Sequence, residues 1–343
     1  HIHDMGGLTL YCTGYSLKDI ILKGVRGVEN IPVSDPAKHL DSILNQCSNL
    51  VTVFQNEIMG AVAFNGFDTL LAPFVKVDKL SYNEVKQSLQ NFIFSVNSNS
   101  RAGAEPAFFN LTFDLTPPAD MVNEYAVVGG ELVSFTYGSC QQEMDLINRV
   151  FCEIMLAGDA NGRLFSYPIP TYNIHSRFDW DNPNNKLLWE MAGKYGTPYF
   201  ANFINSDLDI SDVRSMCCRL RLDLTELRHR NGGLFGAGDS TGSIGVVTLN
   251  MPRYAYESRG NIDKFWEILD KNLEIAKDSL EIKRAWLQKN VIETGLIPAY
   301  MEYVGTINNH FSTIGIVGFN EMCENFMGKN ICSDCLKLIN EAA

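Results

Sequence analysis

Short segments rich in strand formers alternate along this chain with longer segments of helical period, and that alternation points to an α/β barrel or sheet. The opening stretch, HIHDMGGLTLYCTGY, is Gly-punctuated and strand-like. Asp35-Pro36 opens a helical region, with Pro36 at a first-turn position and Leu40, Ile43, Leu44, Leu50, Val51 and Phe54 at helical spacing. A second helix is predicted from Ser81 to about Ser95, where Ser81 and Glu84 form a capping box. Phe108 to Leu115 (FFNLTFDL) reads as a strand stopped by Pro117-Pro118. Gln141 to Leu156 reads as a helix, followed by the turn GDANG. LFSYPIPTYNI is extended because its prolines exclude helix. Leu187 to Lys194 is a short helix, SMCCRLRLDL and SIGVVTLNMP are strand candidates, and Ile262 to roughly Lys289 is a long, charged amphipathic helix.

At 343 residues the chain can bury a sizeable core, as roughly two domains or as a single large barrel. No run of eighteen apolar residues is present, so no transmembrane helix is expected, and no signal peptide is visible. The chain begins at His1 without an initiator Met, which suggests a piece of a longer protein. A formal net charge of -12 disfavours binding to a nucleic-acid backbone and leaves an anionic small substrate only where a local basic pocket exists. Nine cysteines, an odd number with no small secreted scaffold to staple, indicate free thiols in a reducing cytosol.

The chemistry-bearing candidates follow. In RSMCCRLRLDL, strand alternation places Met216, Cys218, Leu220, Leu222 and Leu224 on one face and Cys217, Arg219, Arg221 and Asp223 on the other. Cys218 then points inward, as a reactive residue or an ordinary small core residue would. A vicinal pair seldom closes a disulfide, and no second ligand set at finger spacing supports zinc. In LTLYCTGY, Leu8, Leu10 and Cys12 share a face, again compatible with core packing. His1 and His3 beside Asp4 suit a hydrogen-bonded turn better than a metal site. SRAGAEPAFFNLTFDL supplies the candidate substrate-binding residues Ser100, Arg101 and Asn110. Arg101 precedes a small-residue turn able to host an anion, although a plain connecting loop fits as well. The glycines from Gly232 to Gly242 read as a hairpin tip. Cys332-x-x-Cys335 is half a zinc site at best, or a redox dithiol without the βαβ context that would support one, and reads as a pair of surface cysteines, whereas Cys47, Cys140, Cys152 and Cys323 read as structural.

Taken in order, HIHDMGGLTLYC, SRAGAEPAFFNLTFDL, FSYPIPTYNI, SMCCRLRLDL, GVVTLNMPR and GFNEM resemble the anaerobic (class III) ribonucleoside-triphosphate reductases, a glycyl-radical enzyme family, over essentially the whole chain. The resemblance implies a ten-stranded α/β barrel of two half-barrels, of which residues 1–343 are a partial catalytic domain. It further implies Cys218 as the thiyl-radical residue, Cys12 as the second active-site cysteine, and reduction of ribonucleoside triphosphates to deoxyribonucleotides. Formate-using members carry Asn immediately before the (Leu/Ile)-Gly-Val-Val strand. Here that position is Ser243, which favours a thioredoxin-type redoxin over formate as reductant and allows Cys217 a place in a thiol relay.

The same resemblance implies a glycyl radical raised by a radical-SAM activating enzyme, allosteric ATP or dNTP, and a structural zinc site. Neither the Arg-Val-x-Gly-Tyr radical motif, nor the four-cysteine zinc site, nor the N-terminal ATP-cone is found in these residues, so this chain alone is expected to be inactive. A cytoplasmic homodimer built from helices between about residues 36 and 98 is expected, with no nucleic acid or membrane partner. The alternatives are a pyruvate formate-lyase-like glycyl-radical enzyme and a non-catalytic nucleotide-binding module of this fold.

Overall fold

The structure is a computed structural model and describes residues 2–3, 8–28, 32–99, 106–204, 213–215, 221–223 and 241–342. The chain divides into two compact units of α/β type. The larger comprises Cys12–Thr241 and Pro298–Thr306, the smaller His1–Tyr11, Gly242–Ile297 and Ile307–Ala343.

In the larger unit five short strands lie side by side in chain order, all parallel: Thr13–Tyr15, Val62–Phe64, Phe109–Phe113, Ile169–Ile174 and Tyr199–Asn202. Parallel neighbours cannot be joined by a hairpin, and helices make every crossover. Leu17–Lys23 and Leu40–Glu57 link the first two strands, and Phe67–Asp78 and Tyr82–Val96 the next two. Gln141–Ala157 and Asn185–Tyr195 complete the series. The Ser81–Glu84 capping box forms as its sequence predicts, with the Ser81 side chain accepting from the Glu84 N–H and Glu84 accepting from the Ser81 N–H at 2.8 Å.

One face of this sheet meets the helices through a chain of rings. Phe64 meets Phe109 edge-on, Phe109 meets Phe92, Phe92 stacks on Phe67, and Phe67 meets Phe113, which packs on Phe151 and Tyr172. All of these rings are buried, and aromatic pairs in such geometry add about 1 kcal/mol each beyond the area they bury. The Pro298–Val304 helix docks on the same unit. Glu57 accepts from the backbone N–H groups of Ala299 and Tyr300 at 3.1 and 2.6 Å, and the Tyr303 hydroxyl is tied to both backbone groups of Arg26.

Several expectations are corrected. The first long helix starts at Leu40 rather than at Asp35-Pro36. Ser34 is bridged to Val25 through both backbone groups, and Gln46 donates to the Ser34 hydroxyl and the Asp35 carbonyl, so this segment spends its polar groups outside a helix. One strand was expected over SMCCRLRLDL; in the described residues Val213–Ser215 and Arg221–Asp223 pair antiparallel, with Ser215 opposite Arg221. Cys217 and Cys218 themselves lie outside the described residues, as do Ser100, Arg101 and the Gly-rich stretch 232–240. Among the elements not anticipated are the Phe67–Asp78 helix, which contains Pro73, and the Tyr125–Val128/Glu131–Thr136 hairpin, turned by Gly129 and Gly130 at positive φ.

In the smaller unit Thr241–Asn250 pairs in parallel with Phe311–Val317 and antiparallel with Ile2–His3. Helices Met251–Ser258, Ile262–Leu287, Phe319–Met327 and Ser333–Ala342 contribute to a core that includes Val247, Leu249, Tyr254, Phe265, Leu269, Leu280, Met322 and Cys335. Arg284 clamps the approach to the Phe311–Val317 strand. It donates to the carbonyls of Ile307 and His310 at 3.2 and 2.8 Å and to the Ser312 hydroxyl at 3.0 Å.

His310, 3% exposed and next to that guanidinium, has its pKa pushed down to about 3, first by burial and then by the Arg284 charge. Between about pH 3 and 6.5 the unfolded chain therefore binds a proton that the folded chain refuses, and stability falls as pH falls through that window. The smaller unit should lose about 2 kcal/mol at pH 5 relative to pH 7 from this group. His310→Asn should flatten that loss in denaturant unfolding, and an unchanged pH slope in the variant would refute the assignment.

Candidate active site

Strand register assigns every side chain of the larger unit's sheet to one of two faces. Val62, Phe109, Leu111, Phe113 and Tyr172 face the helices. Gly14, Ala63 and Asn110 stand in a row across three strands on the opposite face, and Thr112, Thr171 and Asn173 continue that face. Cys12 lies two residues before Gly14 and falls on the same side by alternation. Parallel sheets are ordinarily apolar on both faces. Here one face is apolar, and the other carries small and polar side chains beside Ile169 and Tyr199.

These polar groups are buried but incompletely satisfied. Asn110, Thr112, Thr171 and Asn173 are all under a tenth exposed. Thr171 donates its hydroxyl to Asn110 Oδ1 at 3.2 Å, yet Asn110 Nδ2, Thr112 Oγ1 and Asn173 Oδ1 have no partner among the described residues. A buried group left unpaired costs about 1–3 kcal/mol, so three on one face call for a reason beyond folding. Space is present as well: Gly14 is buried, and a Cβ built on it meets nothing among the described residues within 4 Å. A polar, roomy face with donors and acceptors to spare is suited to a hydroxyl-rich ligand.

The edge of this face is held by two carboxylates. Asp68, fully buried at the start of the Phe67–Asp78 helix, accepts from the backbone N–H groups of Asp114 and Leu115, both at 2.9 Å, and from Asn148 Nδ2 at 2.8 Å. Burial pushes its pKa up, and these hydrogen bonds oppose that shift. Asp114 accepts from the Thr69 hydroxyl and from Asn173 Nδ2, both at 2.7 Å. The second contact fixes the Asn173 amide, with its nitrogen toward Asp114 and its oxygen free for a ligand. His175 donates from Nε2 to the Asp114 carbonyl at 3.4 Å and accepts the Arg177 N–H at Nδ1. Burial, the largest influence, lowers its pKa and keeps it neutral.

Cys12 is 2% exposed, and its sulfur accepts the Ala61 N–H at 3.5 Å. The Tyr300 phenol, fully buried and with its pKa pushed up by that burial, hydrogen-bonds Thr13 close to Cys12. Cys12 and Asn110 lie two strands apart, about 10 Å, which is the span of a small sugar-bearing ligand. Ser243 is buried in the smaller unit. Its hydroxyl donates to the Gly245 carbonyl at 3.2 Å, at the place where the register with Phe311–Ser312 shifts by one residue. Burial raises the thiols of Cys140 and Cys152, to about 11 and about 12, and that of Cys47 further, in keeping with structural roles. Among the described residues no three His, Cys, Asp or Glu side chains are placed to hold a metal, and no helix is long and apolar enough to cross a membrane.

Of the residues singled out from sequence, Cys12 and Asn110 are brought to one face. Thr112, Thr171, Asn173, Asp114 and Tyr300 were not anticipated. TFDL and PTYNI carry alternating polar residues inside strand segments, a signal that could have pointed to four of them.

Comparison with known proteins places these features in context. The family described as anaerobic ribonucleoside-triphosphate reductase matches residues 1–340. The anaerobic ribonucleoside-triphosphate reductase of Escherichia coli (strain K12) is 24% identical over 307 residues, covering 84% of this chain and 41% of that protein. The Haemophilus influenzae protein of the same name is 23% identical over 317 residues, covering 88% and 43%. This chain thus spans about two fifths of the length of these curated relatives. Among solved structures, the anaerobic ribonucleotide reductase of Thermotoga maritima with dATP bound in its specificity site is similar at a TM-score of 0.72 and 20% identity, over 100% of this chain and 58% of that one. The complex of the Thermotoga maritima reductase with dATP and CTP gives a TM-score of 0.71 at 21% identity, over 100% and 58%.

If the polar face is built for a ligand, its unpaired groups are dispensable for folding. Thr112→Val should leave stability unchanged or raise it by about 1 kcal/mol, whereas Asp68→Ala, which strands the backbone N–H groups of Thr69, Asp114 and Leu115 and the Asn148 amide, should cost about 3 kcal/mol or more. Urea unfolding distinguishes the two. A loss of about 1 kcal/mol or more in Thr112→Val would make that hydroxyl structural and remove it from the site.

Proposed function

The chain belongs to the anaerobic ribonucleoside-triphosphate reductase family, and we propose that the protein containing it reduces ribonucleoside triphosphates to deoxyribonucleoside triphosphates by thiyl-radical chemistry. The observation that carries this reading is the polar face of the larger unit, with its three buried unpaired groups and the space beside Gly14. In this reading the ribose lies on that face. Asn110, Thr112 and Asn173 hydrogen-bond its hydroxyls, and Asp114 positions Asn173. Ser100 and Arg101 are kept as substrate-binding residues, with Arg101 before a turn able to host an anion.

Cys218 is the radical residue and Cys12 its counterpart across the sugar. A sulfur radical at Cys218 takes the hydrogen of the ribose 3′ carbon, because the S–H bond formed is comparable in strength to the C–H bond broken. The 2′ hydroxyl takes up a proton and leaves as water, the Cys12 thiol gives its hydrogen to the 2′ carbon, and Cys218 returns its hydrogen to the 3′ carbon, which restores the sulfur radical. Burial of Cys12 keeps that thiol away from solvent. A glycyl radical, raised by a radical-SAM activating enzyme on another part of the protein, supplies the unpaired electron when in place. The two electrons come from a thioredoxin-type redoxin. Ser243 supports this over formate, since its hydroxyl donates to Gly245 within its own strand. Cys217 then belongs to the thiol relay.

The remaining assignments rest on family membership: a ten-stranded barrel of two half-barrels, a cytoplasmic homodimer through helices between about residues 36 and 98, allosteric ATP or dNTP, and structural zinc on another segment. A relative with dATP in its specificity site supports the effector assignment. The family match does not favour a pyruvate formate-lyase-like enzyme or a non-catalytic module.

The test is an anaerobic assay of the full protein, activated by its radical-SAM partner and given CTP and ATP with either formate or reduced thioredoxin. Deoxycytidine nucleotide is expected with thioredoxin only. Product with formate would discard the reading of Ser243, and no product with either reductant, despite a detectable glycyl radical, would sink the reductase assignment. Cys218→Ala and Cys12→Ala should abolish product. Thr112→Val should raise KM about tenfold, the loss of one hydrogen bond of about 1.4 kcal/mol.

A further inference from the structure

The Cys332-x-x-Cys335 pair was expected at the surface, and only half of that expectation holds. Cys332 is half-buried, but Cys335 is fully buried within the core of the smaller unit. The pair brackets the start of the Ser333–Ala342 helix, and the Cys335 N–H donates to the Cys332 carbonyl at 3.0 Å, closing the first turn. Three-residue spacing across that turn puts both sulfurs on one side, 3.5 Å apart. Met327 Sδ lies 3.7 Å from the Cys335 sulfur, and the Asn330 carbonyl 3.6 Å from it. A third thiol, Cys323, is close enough to Cys335 to hydrogen-bond it. Its pKa is pushed up to about 11, by burial first and then by these sulfur neighbours.

We propose that Cys332 and Cys335 form a reversible dithiol–disulfide pair, with Cys332 the exchanging sulfur and Cys335 the resolving one. A half-buried sulfur is open to a partner's disulfide, while its buried neighbour is shielded from outside attack and poised to close the ring. In oxidation, the Cys332 thiolate attacks one sulfur of a disulfide oxidant. The oxidant's S–S bond breaks, a mixed disulfide forms, and the first thiolate leaves. The Cys335 thiolate then attacks Cys332 Sγ, which forms the Cys332–Cys335 bond and releases the second thiolate. The pair loses two electrons and two protons, and the oxidant gains them as two thiols. A dithiol of the redoxin class reverses the sequence.

The sulfurs must close from 3.5 Å to a bond of about 2.05 Å, within reach of side-chain rotation at a helix start. A metal site is the weaker reading: Cys323 is the one further thiol near the pair, and among the described residues neither these three sulfurs nor any other three His, Cys, Asp or Glu side chains are placed to hold a metal ion. The pair belongs to the smaller unit and shares no residue with the polar face of the larger one, so its fate is read independently of the proposed reductase activity.

The experiment equilibrates the full protein anaerobically in buffers of graded reduced-to-oxidised glutathione. It is then quenched with acid, alkylated and digested with trypsin, and the 330–337 peptide (NICSDCLK) is weighed. The peptide is expected to pass from doubly alkylated to unalkylated and lighter by two hydrogens as the oxidised fraction rises. In Cys335→Ser a glutathione mixed disulfide should accumulate on Cys332. Two alkyl groups at every glutathione ratio would overturn the proposal. So would a cross-link joining this peptide to the one containing Cys323, or protection in reducing buffer that only a chelator relieves.

Discussion

Much of the larger unit depends on one buried carboxylate. Asp68 sits in the first turn of a helix and is fully buried, which for an isolated anion would be prohibitively costly. The cost is offset by hydrogen bonds from the Thr69, Asp114 and Leu115 backbones and from Asn148. Those donors come from three different elements, so the helix Phe67–Asp78, the end of the Phe109–Phe113 strand and the helix Gln141–Ala157 are fixed together. Leu115 is held at φ 59, a left-handed conformation unusual for a residue with a side chain, and its N–H is the one given to Asp68. The turn at the end of that strand is where the chain passes from folding to function, because Asp114 is the residue that orients Asn173.

The two faces of the parallel sheet divide the work. The helix-facing side carries the rings from Phe64 to Tyr172 and supplies the apolar burial that makes so short a set of strands stable. The opposite side gives up that gain, with glycine and alanine at Gly14 and Ala63 where bulk would pack, and amides and hydroxyls at Asn110, Thr112 and Asn173 with atoms unpaired. A face so destabilised persists when something else is gained from it, which is the pattern of a binding surface. The cysteines divide in a similar way. Cys47, Cys140 and Cys152 are buried singly and held as thiols, whereas Cys332 and Cys335 stand sulfur to sulfur with one of them reachable.

The sequence by itself determined what depends on neighbours along the chain. Helical period located Tyr82–Val96, Gln141–Ala157 and Ile262–Leu287 to within a residue or two. Ser81 and Glu84 identified a cap, paired prolines an extended segment, and alternation the side on which Cys12 falls. Local pattern misled where a distant partner outweighed it. Ser34 and Asp35 are drawn out of a helix by Val25 and Gln46, the Pro73 helix is sustained by its burial, and Ser215 pairs with Arg221 where one strand was expected. Only the tertiary structure decided that Gly14, Ala63 and Asn110 stand in one row, that Asp114 holds Asn173, and that Cys335 is core while Cys332 is not. The reason is physical: periodicity is written by adjacent residues, whereas strand register and burial are set by contacts between residues far apart in the chain.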